Sequence, residues 1–231
     1  MAVAGSAVVL GATGGIGAAL VAALEAEGRW RRVIGLSRRG APAVDITDEA
    51  SLAAAASWLA AEAPDLALVV VATGFLHDGR FQPEKAMRQL DPEHLARSFA
   101  VNAIGPALAM KHLLPRLRRD GPAVFAALSA RVGSIGDNNL GGWWSYRASK
   151  AALNQLVRTA SIEARRANPG AVVVAIHPGT VDSGLSSPFS KAGLEVQAPA
   201  EAARRILDVL AALGPAQSGG FFDHKGAPVA W

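Results

Sequence analysis

Seven short apolar runs punctuate the chain, at Ser6–Leu10, Arg32–Leu36, Ala43–Asp48, Ala67–Ala72, Ala123–Leu128, Ala171–Ile176 and Phe221–Asp223. Between them lie longer stretches whose apolar positions recur every three to four residues. The first period is that of strands and the second that of helices covering them. Ala67–Ala72 is continuously apolar and rich in β-branched residues, as a central strand buried on both faces must be. Ala43–Asp48 reads as a third short strand with Asp45 at its end, and Asp48 or Thr47 caps a helix around Ser51–Ala61. Asp91 and Pro92 open one long helix that runs through Leu114 and whose apolar face Asn102 and Gly105 interrupt. A last helix spans Pro199–Leu213. Strand and helix alternate throughout, which predicts an α/β fold: a doubly wound parallel sheet flanked by helices, in one domain over residues 1–231. Its ligand crevice belongs at the strand C-terminal ends.

Chemistry is concentrated at those ends. The first strand runs directly into Gly11-Ala12-Thr13-Gly14-Gly15-Ile16-Gly17 and then into a helix. Glycines in that place permit a tight turn and let the backbone approach a diphosphate, whose charge sits on free N–H groups at the helix N-terminus. The second strand ends in Ser37-Arg38-Arg39, where an NAD-preferring fold carries an acid for the ribose hydroxyls. Arg38, helped by Ser37 or Arg39, suits a 2′-phosphate, so NADP (NADPH) is the expected cofactor. Asp45 and Ile46 are placed toward the adenine, Thr73 and Gly74 at a close backbone approach, and Pro178, Gly179, Val181 and Ser183 in a turn after the sixth strand that meets the ligand.

Tyr146, the sole tyrosine, stands one helical turn from Lys150. A neighbouring ammonium favours a phenolate, so the spacing predicts a tyrosine with a lowered pKa, fit to give or take a proton. Asn102, on an otherwise apolar helix face, must satisfy backbone groups or hold a water. Ser129 and Ser134, in the loop after Leu128, deliver hydroxyls near Tyr146.

Composition narrows the partners. A net charge of +4 is spread over separated arginine pairs without one dense tract, so a small anionic cofactor is favoured over nucleic acid. No cysteine is present, which excludes thiol catalysis and thiolate metal sites, and His77 with Asp78 makes no metal set. No apolar run is long enough to span a membrane, and a soluble cytoplasmic protein is the expectation.

Taken together, Gly11-x-x-x-Gly15-x-Gly17, Asp45, Asn102, the Ser129 loop, Tyr146-x-x-x-Lys150 and Pro178-Gly179-Thr180-Val181 resemble the short-chain dehydrogenase/reductase family. The stretch Ala130–Ile135 and the final residues look similar to its carbonyl-reductase-like or C-factor-like members. The resemblance implies a single-domain Rossmann-type fold and NADP(H)-dependent hydride transfer to or from a carbonyl or secondary alcohol. Tyr146 would protonate the oxygen, Lys150 would hold the nicotinamide ribose, Asn102 would keep a relay water, a serine would position the substrate oxygen, and Ser183 would meet the carboxamide. A homodimer or homotetramer is implied in the same way. Three departures accompany it: Val71-Ala72-Thr73-Gly74 replaces an amide-rich motif, Leu10 stands where threonine is usual, and Ala130 occupies the usual serine position. Ser129 or Ser134 must then take that role. Trp143, Trp144, Phe75 and Phe189 near the mouth point to an apolar substrate. The alternative class is a dinucleotide-binding sensor or signalling protein without turnover.

Overall fold

Side chains of successive strand residues point to opposite faces, and here both faces are apolar, so each strand is sealed between two helical layers. The computed structural model describes residues 5–185 and 195–231. Its main sheet is parallel throughout, with strands β1 (Ser6–Leu10), β2 (Arg32–Leu36), β3 (Leu66–Val71), β4 (Ala123–Leu128), β5 (Ala171–His177) and, after two short strands β6 (Thr180–Val181) and β7 (Val196–Gln197), β8 (Phe221–Asp223). The order is β2-β1-β3-β4-β5-β8. Helices α1 (Gly15–Ala26), α2 (Glu49–Glu62), α3 (Pro92–Phe99), α4 (Gly105–Leu113), α5 (Trp144–Ala167) and α6 (Pro199–Ala212) cover it.

Alternation sorts the core into two clusters. Val8, Leu10, Val69, Val71, Phe125 and Val173 pack with α2, α4 and α5, whereas Ala7, Val9, Leu68, Val70, Val172 and Val174 pack with α1 and α6. Burial of each Val, Leu or Phe contributes about 1.5–3 kcal/mol relative to exposure, which makes this double-sided core the main source of stability.

The direction in which strands are added to the sheet reverses between β1 and β3. From there β2 is added on one side and β4, β5 and β8 on the other, which opens a crevice at the strands' C-terminal ends. Gly11 and Thr73 meet at this point: a Cβ on Gly11 would lie 3.0 Å from the Thr73 nitrogen.

Two expected elements differ. Ala43–Asp48 is not a strand; only a single bridge, Ser37 to Ala43, joins it to the sheet edge. The Asp45 carboxylate accepts from the Thr47 nitrogen and hydroxyl at 2.9 and 2.7 Å, and this side-chain turn displaces the backbone ladder. The cap after it is as expected, with Asp48 accepting from the Ala50 nitrogen at 2.9 Å.

The helix expected from Asp91 to Leu114 is broken into α3 and α4 by a π-turn at Ala100–Ile104. Proline has no N–H, so Pro106 cannot donate to the carbonyl four residues earlier, that of Asn102, and the wider turn absorbs the break. Gly105 serves close packing there: its Cβ would fall 2.5 Å from the Ile46 carbonyl oxygen. Among the described residues, no helix is long and apolar enough to cross a membrane.

Candidate active site

The loop after β1 closes on itself through backbone. Gly11 has φ +85, a conformation open to glycine at little cost, and its carbonyl accepts from the Gly14 nitrogen at 3.0 Å. A Cβ on Gly17 would lie 2.1 Å from that same carbonyl oxygen, so residue 17 must be glycine for this turn to exist. Helix α1 begins at Gly15 with no side-chain cap and no acidic residue in its first turn. Its leading N–H groups, around Thr13, Gly15, Ile16 and Gly17, are left over as an anion cradle, the Gly14 nitrogen being engaged by Gly11. Across it, Thr73 Oγ1 is buried without a hydrogen-bond partner, and Ser183 packs against Gly15, whose Cβ would lie 3.2 Å from the serine's. Gly74 lies beside Asn102. Gly179 (φ +81) brings the turn after β5 against Gln197 and His224, while Gln197 Nε2 donates to the Pro178 carbonyl at 3.3 Å and Val181 is buried in β6.

At the edge of this cradle, Ser37 is buried and Arg38 and Arg39 are exposed in the turn after β2. Asp45 sits close enough to Arg38 to feel its charge. Thr47 hydrogen bonds chiefly, and Arg38 to a lesser degree, hold its carboxyl below the ordinary range.

Tyr146 and Lys150 lie in the first two turns of α5 and are 8% and 2% exposed. The Lys150 ammonium donates to the Leu128 carbonyl at 2.7 Å, at the end of β4, and stands 5.9 Å from the tyrosine ring centroid. The expected lowering of the phenol's pKa does not occur. Burial disfavours both charged forms, so Tyr146 is driven well above its usual value while Lys150 is pushed down to about 7. Spacing brought the cation near the ring, but its donor is spent on a carbonyl.

Asn102 clamps the strand-to-loop exit after β3. Its Oδ1 accepts from the Phe75 nitrogen at 2.8 Å, and its Nδ2 donates to the Phe75 carbonyl at 2.7 Å and to Ser149 Oγ at 3.1 Å. Ser149 in turn donates to the Tyr146 carbonyl at 2.9 Å. Of the two readings open for Asn102, its side chain follows the first and satisfies backbone. The link ties β3, the π-turn and α5 into one frame.

Neither candidate serine hydroxyl is engaged with Tyr146. Ser129 shares a strand face with Ala127, toward the α5 layer, and its Oγ donates to Asn154 Oδ1 at 2.6 Å. Asn154 is eight residues beyond Tyr146, about 12 Å along the helix. Ser134 accepts from the Asp137 nitrogen at 3.1 Å and reaches the Trp231 carbonyl at 3.4 Å. His77, expected on a surface loop, is half-buried, with Nε2 3.2 Å from the Gly184 carbonyl. Among the described residues no cluster of three metal-binding side chains occurs. Of the mouth aromatics, Trp143 stands 6.2 Å from Tyr146 ring to ring, Phe75 is buried edge-on to His94, and Trp144 points outward. Phe189 lies outside the described residues.

One group escaped the sequence reading. Glu84 and His94, 2% and 3% exposed, meet at 3.2 Å, and the Glu84 carboxylate also accepts from the Ser145 hydroxyl and from its nitrogen at 3.2 Å. A buried carboxylate thus caps the helix that carries Tyr146. The only sequence signal was the i, i+4, i+8 spacing of His94, Ser98 and Asn102, three polar residues on the inward face of α3 and the π-turn.

Comparison with known proteins agrees with this geometry. A family profile described as enoyl-(acyl carrier protein) reductase matches residues 12–209. The C-signal protein of Myxococcus xanthus is 38% identical over 146 residues, 63% of this chain and 84% of its own. A Rhodococcus sp. 1-hydroxy-2-glutathionyl-2-methyl-3-butene dehydrogenase is 29% identical over 82% of this chain and 79% of its own. NADPH-bound carbonyl reductase from chicken fatty liver superposes with a TM-score of 0.86 at 25% identity, covering 100% of this chain and 96% of that one. With the profile spanning most of the sequence and the parallel sheet superposing on that of the carbonyl reductase, the chain belongs to the short-chain dehydrogenase/reductase family of oxidoreductases.

Proposed function

We propose that this oxidoreductase uses NADP(H) and reduces a carbonyl on an apolar substrate, with Tyr146 as the proton donor. The observation that carries the reading is the pairing of a buried phenol with a buried amine one turn along the same helix, in a fold whose first strand ends in an uncapped glycine cradle. The residues fit the cofactor. The N–H groups of Thr13, Gly15, Ile16 and Gly17 take the diphosphate, Arg38 with Ser37 takes the 2′-phosphate, and Lys150 takes the ribose hydroxyls next to Tyr146. Thr73 Oγ1, buried and unpartnered, supplies a further polar contact along the same crevice. When bound, NADPH supplies the hydride. Tyr146, its phenol held neutral by burial in the ligand-free chain, gives its proton to the substrate oxygen as negative charge develops there.

Absorbance at the NADPH band, followed with a panel of ketones, aldehydes and quinones, tests this: consumption is expected with NADPH and far less with NADH. A second reading has its own support. Ala130 stands in the usual serine position, Ser129 and Ser134 are hydrogen-bonded elsewhere, and one curated relative is named C-signal. NADPH binding without consumption of any carbonyl would select that reading, a dinucleotide-binding signalling protein.

A further inference from the structure

The backbone just before the Tyr146 helix is wound the wrong way. Gly141, Gly142 and Trp143 have φ values of 65, 65 and 51, three left-handed residues in succession. L-residues visit this region singly, and for a bulky side chain it is an outlier. The two glycines adopt it at little cost, whereas Trp143, which also occupies the N-cap position of α5, is strained.

The strain is imposed from two sides. The Trp143 nitrogen donates to the Glu84 carbonyl at 2.5 Å, and the Glu84 carboxylate holds both donors of Ser145. From the helix, Arg147 Nε donates to the carbonyls of Gly141 and Gly142 at 3.2 and 3.0 Å. A left-handed glycine or asparagine would satisfy the same bonds without strain, so nothing in the cap itself calls for tryptophan. What the tryptophan adds is its ring, set 6.2 Å from the Tyr146 ring at an interplanar angle of 69° and left half-exposed. Trp144, the next residue, points outward, so the left-handed turn decides which of two adjacent indoles stands beside the phenol.

We propose that Trp143 is a specificity-determining residue, its ring forming the wall against which a flat aromatic or conjugated group next to the substrate's carbonyl packs. This rests on Tyr146 being the proton donor and assigns the substrate class to that same site. Indole and aryl faces gain from stacked or edge-on contact beyond the area they bury. A saturated ring of the same size does not.

The test compares acetophenone with cyclohexyl methyl ketone, which share a skeleton and differ in flatness. Binding is measured by calorimetry on the NADP⁺-loaded protein and turnover by absorbance with NADPH, for wild type and for Trp143→Phe, Trp143→Gly and Trp143→Ala. The wild type is expected to favour acetophenone, Trp143→Phe to keep the preference, and the Gly and Ala variants to lose about tenfold of it, in affinity and in kcat/KM alike. Trp143→Gly is also expected to melt about 2–4 °C above Trp143→Ala, because only glycine relieves the left-handed backbone. An unchanged preference in the Gly and Ala variants overturns the proposal, and so does Trp143→Ala melting no lower than Trp143→Gly. Should binding follow Trp143 while neither ketone is turned over, the reductase reading fails and the aromatic wall stands.

Discussion

The two ends of the same parallel sheet treat polar groups in opposite ways. At the N-terminal end Arg31 forks onto Asp65 at 2.7 and 2.6 Å, Ser6 donates to the same carboxylate at 2.7 Å, and Arg32 pairs with Glu62. The Arg31 hydrogen bonds hold the Asp65 carboxyl down at about 2. At the C-terminal end Thr73 Oγ1 and His177 Nδ1 are buried without partners, burial pushes His177 down to about 4, and Tyr146 and Lys150 are both driven toward their neutral forms. The polar groups at the N-terminal end, which serve only the fold, are satisfied within it. Those kept short of partners mark the end where a ligand completes them.

The largest expected effect on cofactor binding is at the glycine cradle. In Gly17→Ala the new methyl meets a backbone carbonyl that cannot yield, and NADPH affinity, measured by calorimetry, should fall on the order of 100-fold, about 2.7 kcal/mol. Retained affinity would show that the loop is not the mooring point.

Lys150→Met comes next and should stabilise the ligand-free protein. Lysine is ordinarily protonated below about 10.5, whereas here its pKa is about 7. Below 7 the folded state carries a desolvated charge. Between the two values the folded chain binds fewer protons than the unfolded one, so that cost fades as pH rises. The variant should therefore gain at most about 4 kcal/mol at pH ~6 and almost nothing near pH ~10.5, read by urea unfolding. A loss of stability at pH ~6 would contradict the burial argument.

Asp65→Asn, at the opposite end, should act with the opposite sign and lower the melting temperature at pH ~7 by a few degrees, a modest loss for a partly exposed pair. Because the folded carboxyl titrates near 2, its contribution is full above the ordinary carboxylate range and is lost as pH falls from about 4 to about 2. Wild type and variant should then converge in acid. The smallest effect belongs to Ser129→Ala: about 1 kcal/mol of stability from the lost Asn154 bond, with turnover within about twofold. A hundredfold loss of turnover would instead give Ser129 the oxygen-positioning role.

Much of this architecture was legible because it rests on backbone and periodicity. The apolar runs placed the strands of the main sheet, and the Gly11–Gly17 spacing gave a loop whose geometry follows from the absence of Cβ atoms. The Tyr146–Lys150 spacing correctly placed two side chains together at the helix start. What spacing does not encode is where a long side chain ends. Lys150 donates to the Leu128 carbonyl, and burial, which spacing does not report, reversed the expected shift of the phenol. Strand parity likewise turned Ser129 toward Asn154, Asp45 replaced a strand with a side-chain turn, and Pro106 put a π-turn into a helix that its apolar pattern shows as continuous. The Glu84 clamp joins residues 61 positions apart, with no periodic signal linking them.

The central claim is that the buried phenol delivers the proton, and Tyr146→Phe tests it most directly because it removes one oxygen from a well-packed site. With NADPH and a reducible carbonyl, the variant should bind cofactor with wild-type affinity and lose roughly 10²–10⁴-fold in kcat. Turnover equal to that of the wild type would contradict the account.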